Sequence, residues 1–301
     1  MRVTNEMVMT GSVRRLSSRL SEYENAQRKL ATGKEVRRPS DDPSAANRGM
    51  SLRATARMRE QEARNAQDGL SWLHSADNEL QAAGTRLARA RELAVQAGNA
   101  SGQTARDAIA EEIAAINEEL LGIANSKVRG QYLFSGYRNE PAVALEDDGS
   151  YSYRGEEDLP DEADAITRRV GDGETVRVNA TAAEAFFDED GGSVFALLAD
   201  LGTGLRQGDS GEIANAIDGI DAAQRQLGSE LSRVGANTNW LESAVARSAD
   251  SLHITRAELS QVEDADYAKA VMDLQAQDVA LQATLQAMSR ALPPSLAAFL
   301  R

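Results

Sequence analysis

Apolar residues recur at alternating steps of three and four along both ends of this 301-residue chain, and the pattern is missing from its middle. Toward the C-terminus the seam reads Ile213, Ile217, Ile220, Leu227, Leu231, Val234, Leu241, Val245, Leu252, Leu259 and Val262. Spacing of this kind belongs to long helices packed side by side, because a heptad repeat keeps one face turned toward a partner. A chain with long helices at both ends and a different texture between them has to fold back on itself. The expected fold class is mainly α: a long antiparallel helical bundle or coiled coil formed by both chain ends, with a small mixed α/β or β-rich insert in the middle.

Local signals divide the seam. A first helix is marked by Met9, Val13, Leu16, Leu20, Tyr23 and Leu30, and Gly33 is placed to stop it, since glycine takes the left-handed cap conformation without strain. Asp42 is positioned to cap a second helix whose first residue is Pro43, where the missing amide proton costs nothing. That helix carries Leu52, Ala56, Ala63, Ala66, Leu70, Leu73, Leu80, Leu87 and Ala94 on one face, with Gly98 as its expected end. Thr104 followed by Asp107 resembles a capping box and predicts a third helix with Ile109, Ile113, Ile116, Leu120 and Ile123 buried. From Val128 the texture changes to short groups, Ala142 to Leu145, Tyr151 to Tyr153, Ile166 to Val170 and Thr175 to Val178, which read as brief strands between turns. A short helix over Val194 to Leu205 and a turn at Gly208 to Gly211 precede the long final seam.

That seam does not run through to the end. It resumes at Tyr267, Val271, Leu274, Leu281, Leu285, Met288 and Leu292 in a frame displaced by two positions, which turns the stripe by roughly 200° at about 100° per residue. The shift falls within Glu263, Asp264, Ala265 and Asp266, and mirrors the interruption at Gly33 to Asp42. Two terminal segments, 1–42 and 263–301, are thus set apart as natural mates. A helical bundle core is expected from 43–137 and 208–262, with the acidic insert at 138–207.

Several chemistries lack their residues. The chain has no cysteine, which removes disulfides, thiolate catalysis and cysteine-ligated zinc together. His74 and His253 sit on predicted helices without a His or carboxylate partner four residues on, and read as surface histidines. Asp188, Glu189 and Asp190 lack the spaced acids and closing Glu of a calcium loop and read as a turn, while the glycines near Gly171 are not followed by the Gly-Lys-Ser/Thr of a phosphate loop. Asn99 and Asn179 match a glycosylation pattern too short to be assigned a role. No catalytic, cofactor-binding or metal-binding residue is expected. The net charge of −14 is unevenly spread: the N-terminal segment is basic, through Arg14, Arg15, Arg19, Arg28, Lys29, Lys34, Arg37 and Arg38, and Asn139 to Asp190 is strongly acidic. An acidic middle argues against nucleic acid as a partner, and the basic residues read as the solvated face of an amphipathic helix. No apolar run is long enough for membrane insertion, and the first residues lack a cleavable signal peptide, so the chain is expected in the cytosol or to leave it without losing a leader.

Residues 30–53, LATGKEVRRPSDDPSAANRGMSLR, resemble the N-terminal signature of the flagellin superfamily, and residues 260–282, SQVEDADYAKAVMDLQAQDVALQ, resemble its C-terminal one. RGQYLFSGY at 129–137, the short acidic insert and the SLAAFLR ending are more similar to the members that join hook to filament than to flagellin proper. Ala270, Asp273 and the PPSLAAFLR ending depart from the flagellin pattern. The resemblance implies an inner shell of paired terminal helices under an outer bundle and insert. It also implies export in an unfolded state by the flagellar type III apparatus, assembly as a ring of copies on hook-associated protein 1, and later addition of flagellin. Val13, Leu16, Leu20, Tyr23 and Leu30, with Val271, Leu274, Leu281, Leu285 and Met288, are the expected assembly interface. Leu281, Leu285, Met288 and Leu292 are the expected surface for a flagellar export chaperone. Flagellin itself and a cytosolic coiled-coil adaptor remain the alternative readings.

Overall fold

The computed structural model describes residues 5–99, 102–146, 149–154, 165–188 and 191–291, with side chains described from Thr10 to Ser289 within those ranges. The helices are α1 (Asn5–Thr32), α2 (Pro43–Gly98), α3 (Gln103–Ala124), α4 (Ala182–Phe186), α5 (Val194–Gln207), α6 (Ser210–Glu263) and α7 (Tyr267–Ala291). The strands form three separate antiparallel hairpins rather than one sheet: β1 (Lys127–Val128) with β2 (Gln131–Tyr132), β3 (Val143–Leu145) with β4 (Tyr151–Tyr153), and β5 (Thr167–Arg169) with β6 (Thr175–Arg177). The fold is mainly helical, with a small β-rich middle.

The chain divides into two compact units, one of residues 1–58 with 252–301 and one of residues 59–251. Both α2 and α6 contribute to each. The expected domain limits at 42 and 263 coincide with helix ends, where α2 begins and α6 stops.

Within residues 59–251 a continuous apolar core is built from α2, α3, α5 and α6. Leu73, Leu80, Leu87, Ile113, Leu120, Leu198, Leu201, Leu205, Ile220, Leu227 and Leu241 are all buried in it. Alanines at 66, 76, 83, 90 and 94 on α2 are fully buried, as close helix approach requires. Gly69 marks the tightest approach, since a Cβ there would lie 2.6 Å from Val178 Cγ1 and 3.0 Å from Leu241 Cδ1. Few aromatics are available, yet four of the five phenylalanines collect in one place: Phe134, Phe186, Phe187 and Phe195 pack with Tyr151 and Tyr153 at centroid distances of 5.5–6.3 Å. They join the insert to the same apolar core as the bundle helices.

Three local expectations are revised. Thr104 does not cap α3; the helix starts at Gln103 behind Gly102, and Gln103 Nε2 donates to Asp107 Oδ1 (2.8 Å) and Arg206 O (2.8 Å). The reciprocal capping box lies instead at Thr181 and Glu184 and opens α4, a helix the sequence reading omitted. The β1–β2 hairpin also escaped it, being only two residues per strand. Glu184 further anchors the insert: Arg177 donates to both its carboxylate oxygens at 2.7 Å, and Arg233 Nη2 donates to Oε2 at 2.7 Å. Burial pushes the Glu184 carboxyl up, but these two guanidiniums and Thr181 outweigh it and hold it below the ordinary carboxylate range. Of the turn expected around Asp188, Glu189 and Asp190 lie outside the described residues, while Asp188 N donates to Gly192 O (2.9 Å).

Candidate assembly interface

Within residues 1–58 and 252–301, α1 ends where the sequence places a stop. Gly33 adopts φ +65°, and its N–H closes the helix on Lys29 O at 2.9 Å. Asp42 Oδ1 accepts from Ser44 N (2.9 Å) and Ala45 N (3.0 Å), capping α2 at Pro43. The frame shift at Glu263 to Asp266 is a real break: α6 ends at Glu263, and α7 opens at Tyr267 after three intervening residues, with Asp266 Oδ1 accepting from Lys269 N at 3.1 Å.

The two breaks meet. Lys34 and Asp264 form an isolated antiparallel bridge, Glu35 N donates to Glu263 O (2.7 Å), and Ala265 N donates to Gly33 O (2.9 Å). The end of α1 therefore lies beside the start of α7, and the two helices pack antiparallel. Side chains reinforce the joint. The Glu263 carboxylate is only 4% exposed, accepts from Arg53 Nη2 at 2.7 Å, and lies 3.5 Å from Lys34 Nζ. Gly49 makes room for it, since a Cβ there would sit 2.6 Å from Glu263 Oε1. Lys34 Nζ donates to Asp264 Oδ1 at 2.5 Å, and Ser260 also donates to Asp264. Those bonds hold the Asp264 carboxyl below the usual range, and Asp264 in turn raises Lys34. Arg37 and Arg38 donate their backbone N–H groups to Asp41 Oδ2, which lowers the Asp41 carboxyl and fixes the loop after the joint.

The expected interface residues fall into two groups. Leu16, Tyr23, Leu30, Val271, Leu274, Leu281 and Met288 are half-buried. Val13 (53% exposed), Leu20 (46%) and Leu285 (50%) face solvent. Of the expected chaperone surface, Leu281 and Met288 belong to the half-buried group and Leu285 to the exposed one, whereas Leu292 lies outside the described residues. Among the described side chains of α1 and α7, the buried apolar ones are Ala26 and Ala270 alone, in contrast to the many buried leucines of the other unit. Two helices side by side cannot enclose a core, so each large apolar residue of this pair keeps part of its surface in water.

Sequence reasoning missed two features. One is the charged hub of Arg53, Glu263 and Lys34, whose members are distant in sequence. The other is a second apolar face on α7, where Met272 (62% exposed) and Val279 (66%) stand away from the α1 seam. Their seven-residue spacing was visible, but one chosen frame conceals another. Among the described residues no cluster of His, Cys, Asp or Glu could hold a metal ion, and no helix is long and apolar enough to cross a membrane.

The family profile of the bacterial flagellin N-terminal helical region matches residues 3–139, and that of the C-terminal helical region matches residues 217–299. The chain is 26% identical to a flagellin of Bacillus subtilis, covering 97% of this chain and 96% of that one. It is 25% identical to flagellar hook-associated protein 3 of Salmonella typhimurium, covering 94% and 95%. Among solved structures, a proposed flagellar hook-associated protein from Vibrio parahaemolyticus superposes with a TM-score of 0.68 at 19% identity, over 74% of this chain and 100% of that one. Hook-associated protein 3 from Legionella pneumophila superposes at 0.62 and 20% identity, over 71% and 98%. With both ends matched in order and the signature segments joined at Lys34 and Asp264, the chain belongs to the flagellin superfamily, and its fold recurs in hook-associated proteins.

Proposed function

We propose that this chain is a structural subunit of the bacterial flagellum that joins the hook to the filament. In this role it leaves the cell through the flagellar type III apparatus in an unfolded state, joins copies of itself in a ring on hook-associated protein 1, and receives flagellin on its far side. The observation that carries the assembly reading is the lack of an enclosed core between α1 and α7: large apolar residues left partly in water need further helices to cover them. Full-length similarity to hook-associated protein 3 supports the junction position. Folding coupled to assembly follows physically, because burial against neighbours offsets the entropy of ordering the terminal helices. Before export, Leu281, Leu285, Met288 and Leu292 would offer an apolar stretch to an export chaperone. The three-part division into terminal helices, helical bundle and acidic insert is the one the family resemblance implies.

The test is to add purified protein to hooks capped with hook-associated protein 1 and to locate it on intact flagella by antibody labelling. A single band of label between hook and filament, with binding that requires hook-associated protein 1, is the expected result. Polymerisation of the protein alone into long filaments would identify a flagellin instead, and absence from flagella would favour a cytosolic adaptor.

A further inference from the structure

Residues 59–251 contain a cleft to which the junction role gives no part. It opens between the end of α4, the segment leading into α5, α5 itself and the early part of α6, and it encloses about 290 Å3. Ala185, Phe186 and Val194, all buried, and the half-buried Leu197 and Ala223 give it apolar walls. Gly219 stands inside α6, where alanine would be the better helix former. A Cβ there would lie 2.6 Å from Leu197 Cδ1 and 2.9 Å from Leu197 Cδ2, so the glycine lets this part of α5 come close.

The polar lining is acidic. Asp188 and Asp200 are exposed, and no Lys, Arg or His lines the cleft. Asp188 Oδ1 accepts from Gly192 N at 2.6 Å, which fixes that carboxylate in its turn, and Asp200 has no cationic partner among the described residues. Gln226 spends its amide nitrogen on Glu184 O (2.9 Å) and Phe187 O (2.5 Å), which leaves only its oxygen for a further bond.

We infer that the cleft receives one arginine side chain of a partner polypeptide, its hydrocarbon stem along the apolar walls and its guanidinium at the carboxylates. An aliphatic stem under a cationic head matches apolar walls with an acidic mouth. The guanidinium carries five donors in one plane, so it can serve more than one acceptor. A neutral apolar ligand would cover the carboxylates without pairing them, at a cost in desolvation. The cleft is also smaller than the roughly 300–1,000 Å3 of small-molecule sites. That size suits a single side chain inserted from a larger partner.

The test follows backbone amides of isotope-labelled full-length protein by NMR during titration with acetyl-Gly-Arg-Gly-amide. Parallel titrations use the same peptide with norleucine in place of arginine, and butylguanidinium as the free head and stem. The expected result is saturating shifts at Gly192, Ser193 and Gly219 with the arginine peptide and none with norleucine. Asp200→Asn, at an exposed position, should weaken binding about three- to fivefold. Ala222→Leu, also exposed, should fill the cleft and abolish it, with α3 amides unmoved in both variants. Equal shifts with the norleucine peptide, or binding indifferent to both substitutions, would overturn the assignment, and tighter binding of butylguanidinium than of the peptide would replace the polypeptide with a free amine. None of these outcomes bears on the junction role, which rests on the terminal helices.

Discussion

Replacing Glu263 by Gln tests whether the charged hub, and not the backbone alone, holds the two signature segments together. The change keeps the shape and the backbone bonds from Glu35 N to residue 263 O and from Ala265 N to Gly33 O, but removes the charge that Arg53 Nη2 meets at 2.7 Å and Lys34 Nζ at 3.5 Å. A hydrogen bond to a charged group contributes about 1.5–3 kcal/mol. Arg53 is half exposed and keeps its hydration, and Gln retains a weaker acceptor, so the loss should be at the low end, about 1–2 kcal/mol. That corresponds to roughly 5–30-fold in the local opening equilibrium. Amide hydrogen exchange reads it directly, because Glu35 N and Ala265 N donate across the joint at 2.7 and 2.9 Å. Both amides should exchange faster by that factor, while amides of α3 and α5 stay unchanged. Equal exchange in parent and variant would show that the hub contributes nothing and that the ladder of backbone bonds suffices.

Other perturbations separate the two units. Gly69→Ala drives a methyl against Val178 and Leu241; overpacking of about 1–3 kcal/mol exceeds the gain of about 0.8–1.0 kcal/mol from helix propensity, so the urea midpoint should fall, and a rise would refute the packing argument. Leu285→Asp, at a half-exposed position, should leave the midpoint of the purified chain within about 0.5 kcal/mol of the parent yet prevent incorporation into flagella; normal incorporation would remove Leu285 from the interface. Asp264 has a folded-state value lowered by Lys34, so its contribution is complete above the ordinary carboxylate range and lost as pH falls through the lowered value. Lys34, raised by Asp264, loses its contribution only as pH rises through a value above that of ordinary lysine. Exchange at Ala265 should therefore be flat across neutral pH after correction for intrinsic rates and accelerate in strong acid, and Asp264→Asn should remove most of the acid step.

Much of this architecture was legible because it is local. Gly33 and Asp42 with Pro43 act within one turn of chain, so helix ends follow from residue type. The groups Ala142 to Leu145 and Tyr151 to Tyr153 were enough to mark brief strands, and the structure pairs them as a hairpin. The α4 capping box at Thr181 and Glu184 was equally local and went unread, although Thr181 with Glu184 fits the motif better than Thr104 with Asp107; at α3 Gln103 instead reaches Asp107 and the end of α5.

By itself the sequence determined that both ends are long helices, that each is interrupted at a definite place, and that the interruptions carry matching family signatures. Periodicity and caps depend on neighbours three or four residues away, and they survive without a partner. Only the tertiary structure decided which face of each helix is spent on its mate. Leu274 and Leu281 turn toward α1, while Met272 and Val279 are left outward, because a helix has room for apolar residues on more than one side and the choice belongs to packing. It also brought Lys34, Arg53 and Glu263 together, since charges some two hundred residues apart can recognise one another only after the chain has folded back.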